Sequence, residues 1–259
     1  ERLPDVAMES SDAWNNAGTG HAALCELNYM PDSKDGSLPD PSKAIAINEQ
    51  FQLSRAFWAF CIQQGILQNP QSFIRTVPHM SFVTNKKDID YLKRRHQALN
   101  DQPLFAGMDF STSKSKLTEW APLIMEGRDG KEFAATWIEQ GTDVDYGEMT
   151  RQLIKWLEPK KVVVERGVEI KKLYQYPSGS WQLFLGTSSD RLIVADKVFV
   201  GAGGWALKLL QKAGIPEVEG YGTFPVGGQW LRTTNPEIVS RHHAKVYSQA
   251  SVGAPPMSV

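Results

Sequence analysis

Histidine is the side chain best suited to exchange a proton near neutral pH, and this sequence contains five of them. His79 follows Arg75 by four residues, so the alternation of a strand would place both side chains on one face. This pairing suits an anionic hydroxy acid, because the imidazole can take the hydroxyl proton while the guanidinium binds a carboxylate. His79 is therefore a candidate catalytic base and Arg75 a candidate substrate ligand. A structural histidine in an edge strand is the alternative for His79.

The other polar candidates favour simpler interpretations. His96 follows three basic residues, which is typical of a solvated helix face, whereas the adjacent His242 and His243 would point to opposite sides of a regular element. Asp143 and Asp145 would share one face of a strand, but their position just ahead of a glycine and a helical pattern favours a loop that enters a helix. We therefore predict no metal site.

A glycine-rich turn joins a strand-like run to a helix-like run. Residues 201–206 read GAGGWA and match the pattern G-x-G-x-x-A. Such glycines let the backbone approach a pyrophosphate, and the following helix offers free N–H groups. No second strand ending in an acid follows, so the pattern does not predict a primary dinucleotide site. A tight turn without a ligand is the alternative.

Periodicity predicts helices and strands in mixed order around these residues. The predicted helices cover residues 42–67, 87–99, 147–157 and 205–213. The predicted strands cover residues 73–83, with an interruption at Pro78, and 133–138, 161–165, 168–174, 181–187 and 191–200. A turn at 177–180 would make 168–174 and 181–187 an antiparallel pair. We predict an α+β or α/β fold in which parallel-type elements surround an antiparallel insert.

Composition excludes several classes of protein. The net charge of -1 and pI of about 6.6 argue against a nucleic-acid partner, which would require a clustered basic excess. Cys25 and Cys61 form neither a disulfide framework nor a metal-ligand spacing, which indicates a reducing compartment. No run approaches the ~18 apolar residues of a membrane span, so we predict that any membrane contact is peripheral. The first residue, Glu1, and the last, Val259, suggest an internal fragment of a longer protein.

Four segments carry a resemblance to a known family. They are residues 10–24 (SSDAWNNAGTGHAAL), 141–147 (GTDVDYG), 224–229 (FPVGGQ) and 250–257 (ASVGAPPM). With these motifs the chain resembles, over its whole length, the malate:quinone oxidoreductases, a branch of the glutathione-reductase-like flavoproteins related to D-amino-acid and sarcosine oxidases. The resemblance implies a partial FAD-binding, Rossmann-like domain at 1–24 and 141–215. It also implies an inserted substrate domain at 25–140 and 216–259, built on a mixed or antiparallel sheet with helices.

The resemblance also implies roles for individual residues. Glu1 would hold the adenosine ribose hydroxyls, at the end of a strand that in the family follows the pyrophosphate loop. Val168 would present backbone groups to the adenine. The full set of implied FAD contacts is Glu1, Ser10, Ser11, Asn16, Ala17, Gly18, Val168, Gly201, Ala202, Gly203 and Gly204. Because His21 lies three residues after the flavin-side Gly18, it becomes the second candidate base. Its alternative is a helix-start histidine bonded to backbone.

The activity implied by the resemblance is the FAD-dependent oxidation of (S)-malate to oxaloacetate, with electrons passed to a membrane quinone. A bacterial enzyme of the tricarboxylic acid cycle is implied, in the cytoplasm and peripherally bound to the inner face of the cell membrane. Two alternatives stay open. One is a flavin oxidase or dehydrogenase of another 2-hydroxy or amino acid. The other is an autonomous nucleotide-binding module that uses residues 201–204.

We predict that this 259-residue chain, produced alone, folds but carries no FAD and is inactive. Without the pyrophosphate loop expected before Glu1, three or four charge-assisted hydrogen bonds of about 1.5–3 kcal/mol each would be lost. The expected product is colourless, unfolds cooperatively, reduces no dye with malate, and dimerises through an exposed sheet edge. Absorbance spectroscopy and size-exclusion chromatography check this, and stoichiometric FAD in the purified chain would contradict it.

Overall fold

The computed structural model describes residues 1–130, 132–186, 191–225, 227–229, 231–249 and 257–258. Contacts divide the chain into two units. Unit 1 comprises Glu1–Met8 and Glu158–Arg232, and unit 2 comprises Glu9–Leu157 and Thr233–Val259. These boundaries fall at other positions than the domain limits expected from the sequence. The assignment of the cofactor and the substrate to separate domains stays a prediction.

Ten strands occur within the described ranges. They are β1 (Ile74–Thr76), β2 (His79–Thr84), β3 (Asp109–Ser111), β4 (Phe133–Ile138), β5 (Thr142–Val144), β6 (Glu169–Gln175), β7 (Trp181–Gly186), β8 (Arg191–Ala195), β9 (Lys245–Ser248) and β10 (Met257–Ser258). In unit 2 a five-stranded mixed sheet has the order β10-β9-β2-β4-β3, in which only β2 and β9 run parallel. Strands β1 and β5 form a separate antiparallel pair. In unit 1, β6, β7 and β8 form an antiparallel meander.

Helices cover the sheets of both units. They are α1 (Ser42–Gln63), α2 (Lys86–Asn100), α3 (Lys114–Trp120), α4 (Pro122–Met125), α5 (Tyr146–Leu157), α6 (Ala206–Lys212) and α7 (Pro236–Val239). Helix α1 ends earlier than its periodicity predicts because Gly65 takes φ +68. The amides of Gly65 and Ile66 then bond to the carbonyls of Ile62 and Cys61, at 3.0 and 2.8 Å, which closes the last turn.

The core of unit 2 is formed where the helices pack on the mixed sheet. All six residues of β4 are buried, as expected for a strand covered on both faces. The rings of Trp120 and Trp137 stack at 5.5 Å, in a cluster with Met80 and Phe82 of β2. Burial of such apolar side chains stabilises the unit by roughly 25 cal/mol per Å².

Much of the predicted local structure is confirmed. Strand β4 has the predicted bounds, and the run 73–83 is broken at Pro78 into β1 and β2. The antiparallel pair β6 and β7 also forms, around a turn in which Gly179 has φ +91. Some of the residues named in the predictions lie outside the described residues. They are Thr187 at the end of a predicted strand, Val226 within residues 224–229, and residues 250–256.

One predicted strand is wrong and another is confirmed only in its first half. Residues 161–165 contain no strand, and of the predicted strand 191–200 only Arg191–Ala195 forms, as β8. Val163 and Phe199, in the segments without a strand, are 81% and 95% exposed. A strand needs a neighbour for its backbone hydrogen bonds, and no described strand pairs with either segment. The expected parallel elements around the antiparallel insert are therefore not seen in the described part of the chain. None of the helices in the described ranges is both long and apolar enough to cross a membrane.

Candidate functional site

The predicted pairing of Arg75 with His79 does not form. Arg75 lies in β1, which pairs with β5, whereas His79 begins β2 of the five-stranded sheet. The turn at Pro78 ends the alternation on which a shared face depended. Arg75 is exposed and its Nε donates to the Gln71 carbonyl at 3.1 Å, whereas His79 is 1% exposed. The prediction that Arg75 and His79 share one face of a strand is therefore wrong.

His79 is packed against the backbone of β5. Its Nε2 lies 3.0 Å from the carbonyl oxygen and 3.1 Å from the amide nitrogen of Thr142, so the tautomer decides which bond is made. Burial lowers the pKa of His79, which favours the neutral ring. A Cβ at Gly141 would lie 2.2 Å from the imidazole Cδ2, so only glycine leaves room for the ring there. These contacts are those of a structural histidine, and its role as a base stays a prediction.

Residues 16–20, within the segment that carries the family resemblance, lie directly against β5. The carbonyl of Gly18 accepts from the Val144 amide at 2.6 Å, and the Gly20 amide donates to the Thr142 carbonyl at 3.0 Å. Asn16 ties the segment to the preceding loop, because its Nδ2 donates to the Ser10 carbonyl at 3.0 Å. The predicted flavin-side residues therefore belong to a backbone that is fixed on one side.

Lys245 of β9 also contacts both this segment and β5. Its Nζ donates to the Ala17 carbonyl and pairs with the Asp143 carboxylate at 2.7 Å. Asp143 is thus a strand residue with a cationic partner, whereas the Asp145 carboxylate accepts from the Glu148 amide at 2.8 Å and starts α5. The loop-to-helix interpretation is correct for Asp145 alone.

His21 lines an open cavity of about 390 Å³. Its side chain is 52% exposed, and its Nδ1 lies 3.0 Å from the Glu26 carboxylate and 3.1 Å from the Tyr29 hydroxyl. His21 belongs to no helix, so the alternative of a helix-start histidine is wrong. The cavity is lined by His21, Tyr29, Ile47, Gln50, Phe51, Ser54, Trp58 and Tyr146. Of the two candidate bases, the structure therefore exposes only His21 to a ligand.

Of the remaining predicted cofactor residues, Ser10 and Ser11 lie in unit 2, and the others belong to unit 1. The Glu1 carboxylate accepts from the Leu3 amide at 2.9 Å, and the Val168 amide donates to the Glu1 carbonyl at 2.9 Å. A Cβ added at Gly203 or Gly204 would meet nothing within 4 Å, so packing does not require glycine there. Gly201 is also exposed and Ala202 half-buried, so this loop is accessible.

Sequence reasoning missed Glu26 and Tyr29. Glu26 is 2% exposed although it carries a carboxylate, and the run 22–27 around it is buried throughout. An acid inside an otherwise apolar run is the signal that could have marked it, because buried charges need a partner. Nothing comparable in the local pattern marks Tyr29.

The sequence model of one family, described as malate:quinone oxidoreductase, matches residues 1–259. The chain belongs to this family. It is 53% identical to a probable malate:quinone oxidoreductase of Flavobacterium johnsoniae, over 100% of the chain and 53% of that protein. A protein of the same description from Burkholderia lata is 51% identical, over 100% of the chain and 48% of that protein. The chain thus spans about half the length of the curated relatives it matches.

Solved structures show the same fold at low sequence identity. Glycine oxidase from Geobacillus kaustophilus is 16% identical with a TM-score of 0.57, over 83% of this chain and 50% of that chain. An L-alpha-glycerophosphate oxidase from Mycoplasma pneumoniae with FAD bound is 15% identical with a TM-score of 0.56, over 83% of this chain and 49% of that chain. The predicted mixed fold of FAD-dependent oxidases is confirmed.

The backbone contact at Gly18 generates a stability prediction. Gly18 and Gly36 have φ +65 and +77, where alanine costs about 1 kcal/mol. A Cβ at Gly18 would also lie 2.8 Å from the Val144 carbonyl oxygen, whereas at Gly36 nothing lies within 4 Å. Gly18→Ala should therefore lower the Tm clearly more than Gly36→Ala. Thermal unfolding of the chain measures this, and equal losses would contradict it.

Proposed function

We propose that the protein containing this chain oxidises (S)-malate to oxaloacetate with FAD and passes the electrons to a membrane quinone. The observation that carries this proposal is the match to the malate:quinone oxidoreductase family over residues 1–259. The direct test is reduction of a soluble quinone analogue by the full-length enzyme with malate, compared with glycine and with other 2-hydroxy acids. A higher rate with one of those compounds would favour the alternative of another flavin oxidase or dehydrogenase.

Each unit, taken by itself, carries predicted cofactor residues whose groups suit FAD. In unit 1, Gly203 and Gly204 of the accessible loop 201–204 leave open space beside the backbone, and Glu1 offers a carboxylate for ribose hydroxyls. In unit 2, Ser10, Ser11 and residues 16–18 offer hydroxyl, amide and backbone groups. FAD supplies the redox chemistry when bound, as the acceptor of the hydride from malate C2. The chain's own residues must orient malate and remove its hydroxyl proton.

His21 is the base that we propose for that proton. It is exposed at the cavity, whereas His79 is buried against Thr142. A positioned histidine contributes typically 10²- to 10⁴-fold to such a step. His79 remains the second candidate base from the sequence. Substitution of each histidine in turn distinguishes the two candidates.

Malate also needs groups that bind its two carboxylates. The cavity lining offers Tyr29, Gln50, Ser54 and Tyr146 as hydrogen-bond donors. We retain Arg75 as the proposed cationic ligand, because its guanidinium is exposed and belongs to the same unit as His21. Arginine suits this role because its planar fork matches a carboxylate.

The cellular setting is proposed on the same basis. A quinone acceptor requires contact with a membrane, and we propose peripheral contact at the inner face of the cell membrane from the cytoplasm. The relatives described above are bacterial proteins, which is consistent with a bacterial enzyme of the tricarboxylic acid cycle. Partition of the full-length enzyme between membrane and supernatant fractions, with and without high salt, tests this location.

The choice between the two histidines is testable in the full-length enzyme. His21→Asn should lower kcat with malate by about 10²- to 10⁴-fold and leave the FAD content unchanged. His79→Asn should chiefly lower the Tm, because a buried ring is lost, with a smaller effect on kcat in the folded fraction. The exposed His243→Asn is the control and should change neither quantity. A His21→Asn enzyme of normal kcat would refute the assignment.

The ribose contact is testable through cofactor retention. In the full-length enzyme, Glu1→Ala should weaken FAD binding by about 1.5–3 kcal/mol, since a charged acceptor is lost. The exposed Glu217→Ala provides a matched control in the same unit. Flavin absorbance after dilution and gel filtration measures retention. Equal retention by the two variants would remove Glu1 from the proposed FAD site.

A further inference from the structure

The carboxylate of Glu26 is buried beside His21, which lines the cavity. The side chain is 2% exposed, and neighbouring Cys25 and Leu27 are buried with it. Transfer of an unpaired carboxylate from water to such surroundings costs several kcal/mol. The carboxylate must therefore be held by partners that favour its charge.

His21 supplies the nearest of these partners. Its Nδ1 lies 3.0 Å from the Glu26 carboxylate, whose second oxygen accepts from the Cys25 amide at 3.3 Å. Burial raises the pKa of Glu26, but the hydrogen bond and the charge of His21 outweigh it, so the pKa lies below its usual value. Glu26 is thus an ionised acid with one carboxylate oxygen at ion-pair distance from a ring nitrogen of His21.

This contact determines the proton position on His21. An ionised carboxylate oxygen and an unprotonated ring nitrogen would repel each other at 3.0 Å, so this contact favours a proton on Nδ1. The Tyr29 hydroxyl, 3.1 Å from the same nitrogen, can share that proton, and the Tyr29 ring packs edge-on at 6.2 Å. With the proton on Nδ1, the lone pair is on Nε2, which is the form of the ring that can accept a proton.

We propose that Glu26 is a positioning residue for the oxidation of malate, acting through His21. The inference rests on the proposed function. The hydroxyl proton of malate would pass to His21 Nε2 as the C2–oxygen bond becomes the carbonyl of oxaloacetate, and FAD, when bound, would supply the acceptor for the hydride of C2. Glu26 touches neither reactant. It fixes the tautomer and orientation of the ring, and its negative charge stabilises the imidazolium that results.

The test is a double-mutant cycle in the full-length holoenzyme. Glu26→Gln should lower kcat by about 10- to 10³-fold with little change in KM or FAD content, since an amide can bind either tautomer. Glu26→Asp should recover part of the loss. The double variant with His21→Asn should be no slower than His21→Asn alone, because Glu26 acts only through that ring. The exposed Glu49→Gln, on the helix that lines the cavity, is the matched control.

The outcomes separate the two proposals. A wild-type enzyme without malate oxidation would overturn the proposed function, and a fully active His21→Asn would overturn the base and with it this inference. Two results would overturn the role of Glu26 alone. In the first, His21→Asn is slow but Glu26→Gln keeps the kcat of the wild type. In the second, the kcat of the double variant falls by the product of the two single losses. If the Glu26→Gln enzyme does not fold, ¹⁵N NMR of the histidine-labelled wild-type holoenzyme can determine the tautomer of His21. The His21 signals are identified by their absence from the spectrum of His21→Asn. A proton on Nδ1 supports the inference, and one on Nε2 overturns it.

Discussion

The close approach of two backbones, residues 18–20 and strand β5, is the constraint on which the candidate site depends. Hydrogen bonds of 2.6 and 3.0 Å join them, and only glycine fits at Gly18 and Gly20, where a Cβ would come within 3 Å of β5. His21 follows directly in sequence, so these hydrogen bonds restrict the position of its backbone. A site built on such a backbone can hold a reacting group within the tolerance that catalysis needs.

The interior beneath this contact carries an unusual number of polar groups. Arg95 is 0% exposed, and its guanidinium donates to the Ala23 carbonyl at 2.7 Å. Burial lowers the pKa of Arg95, and nearby Tyr91, Cys25 and Glu26 oppose that lowering only in part. His79 stays neutral in the same region because burial lowers its pKa. Such groups are costly to bury, and their partners fix one arrangement of the core.

One face of helix α1 forms most of the cavity lining. Its lining residues Ile47, Gln50, Phe51, Ser54 and Trp58 follow the three- and four-residue spacing of one helix face. The rings of Phe51 and Trp58 meet edge to face at 6.0 Å, which gives this wall an apolar surface between polar groups. His21 and this amphipathic helix face line the same cavity.

The sequence by itself determined the local elements and the family. Strand β4, the break at Pro78 and helix α5 follow from periodicity and from proline, which act between near neighbours. The motif around Gly18 identified the family correctly before the tertiary structure was considered. Tertiary structure alone decided which histidine is exposed, because the partner that buries His79 is Thr142, 63 residues away. It likewise decided that residues 161–165 form no strand, since a strand requires a neighbour that no local pattern supplies.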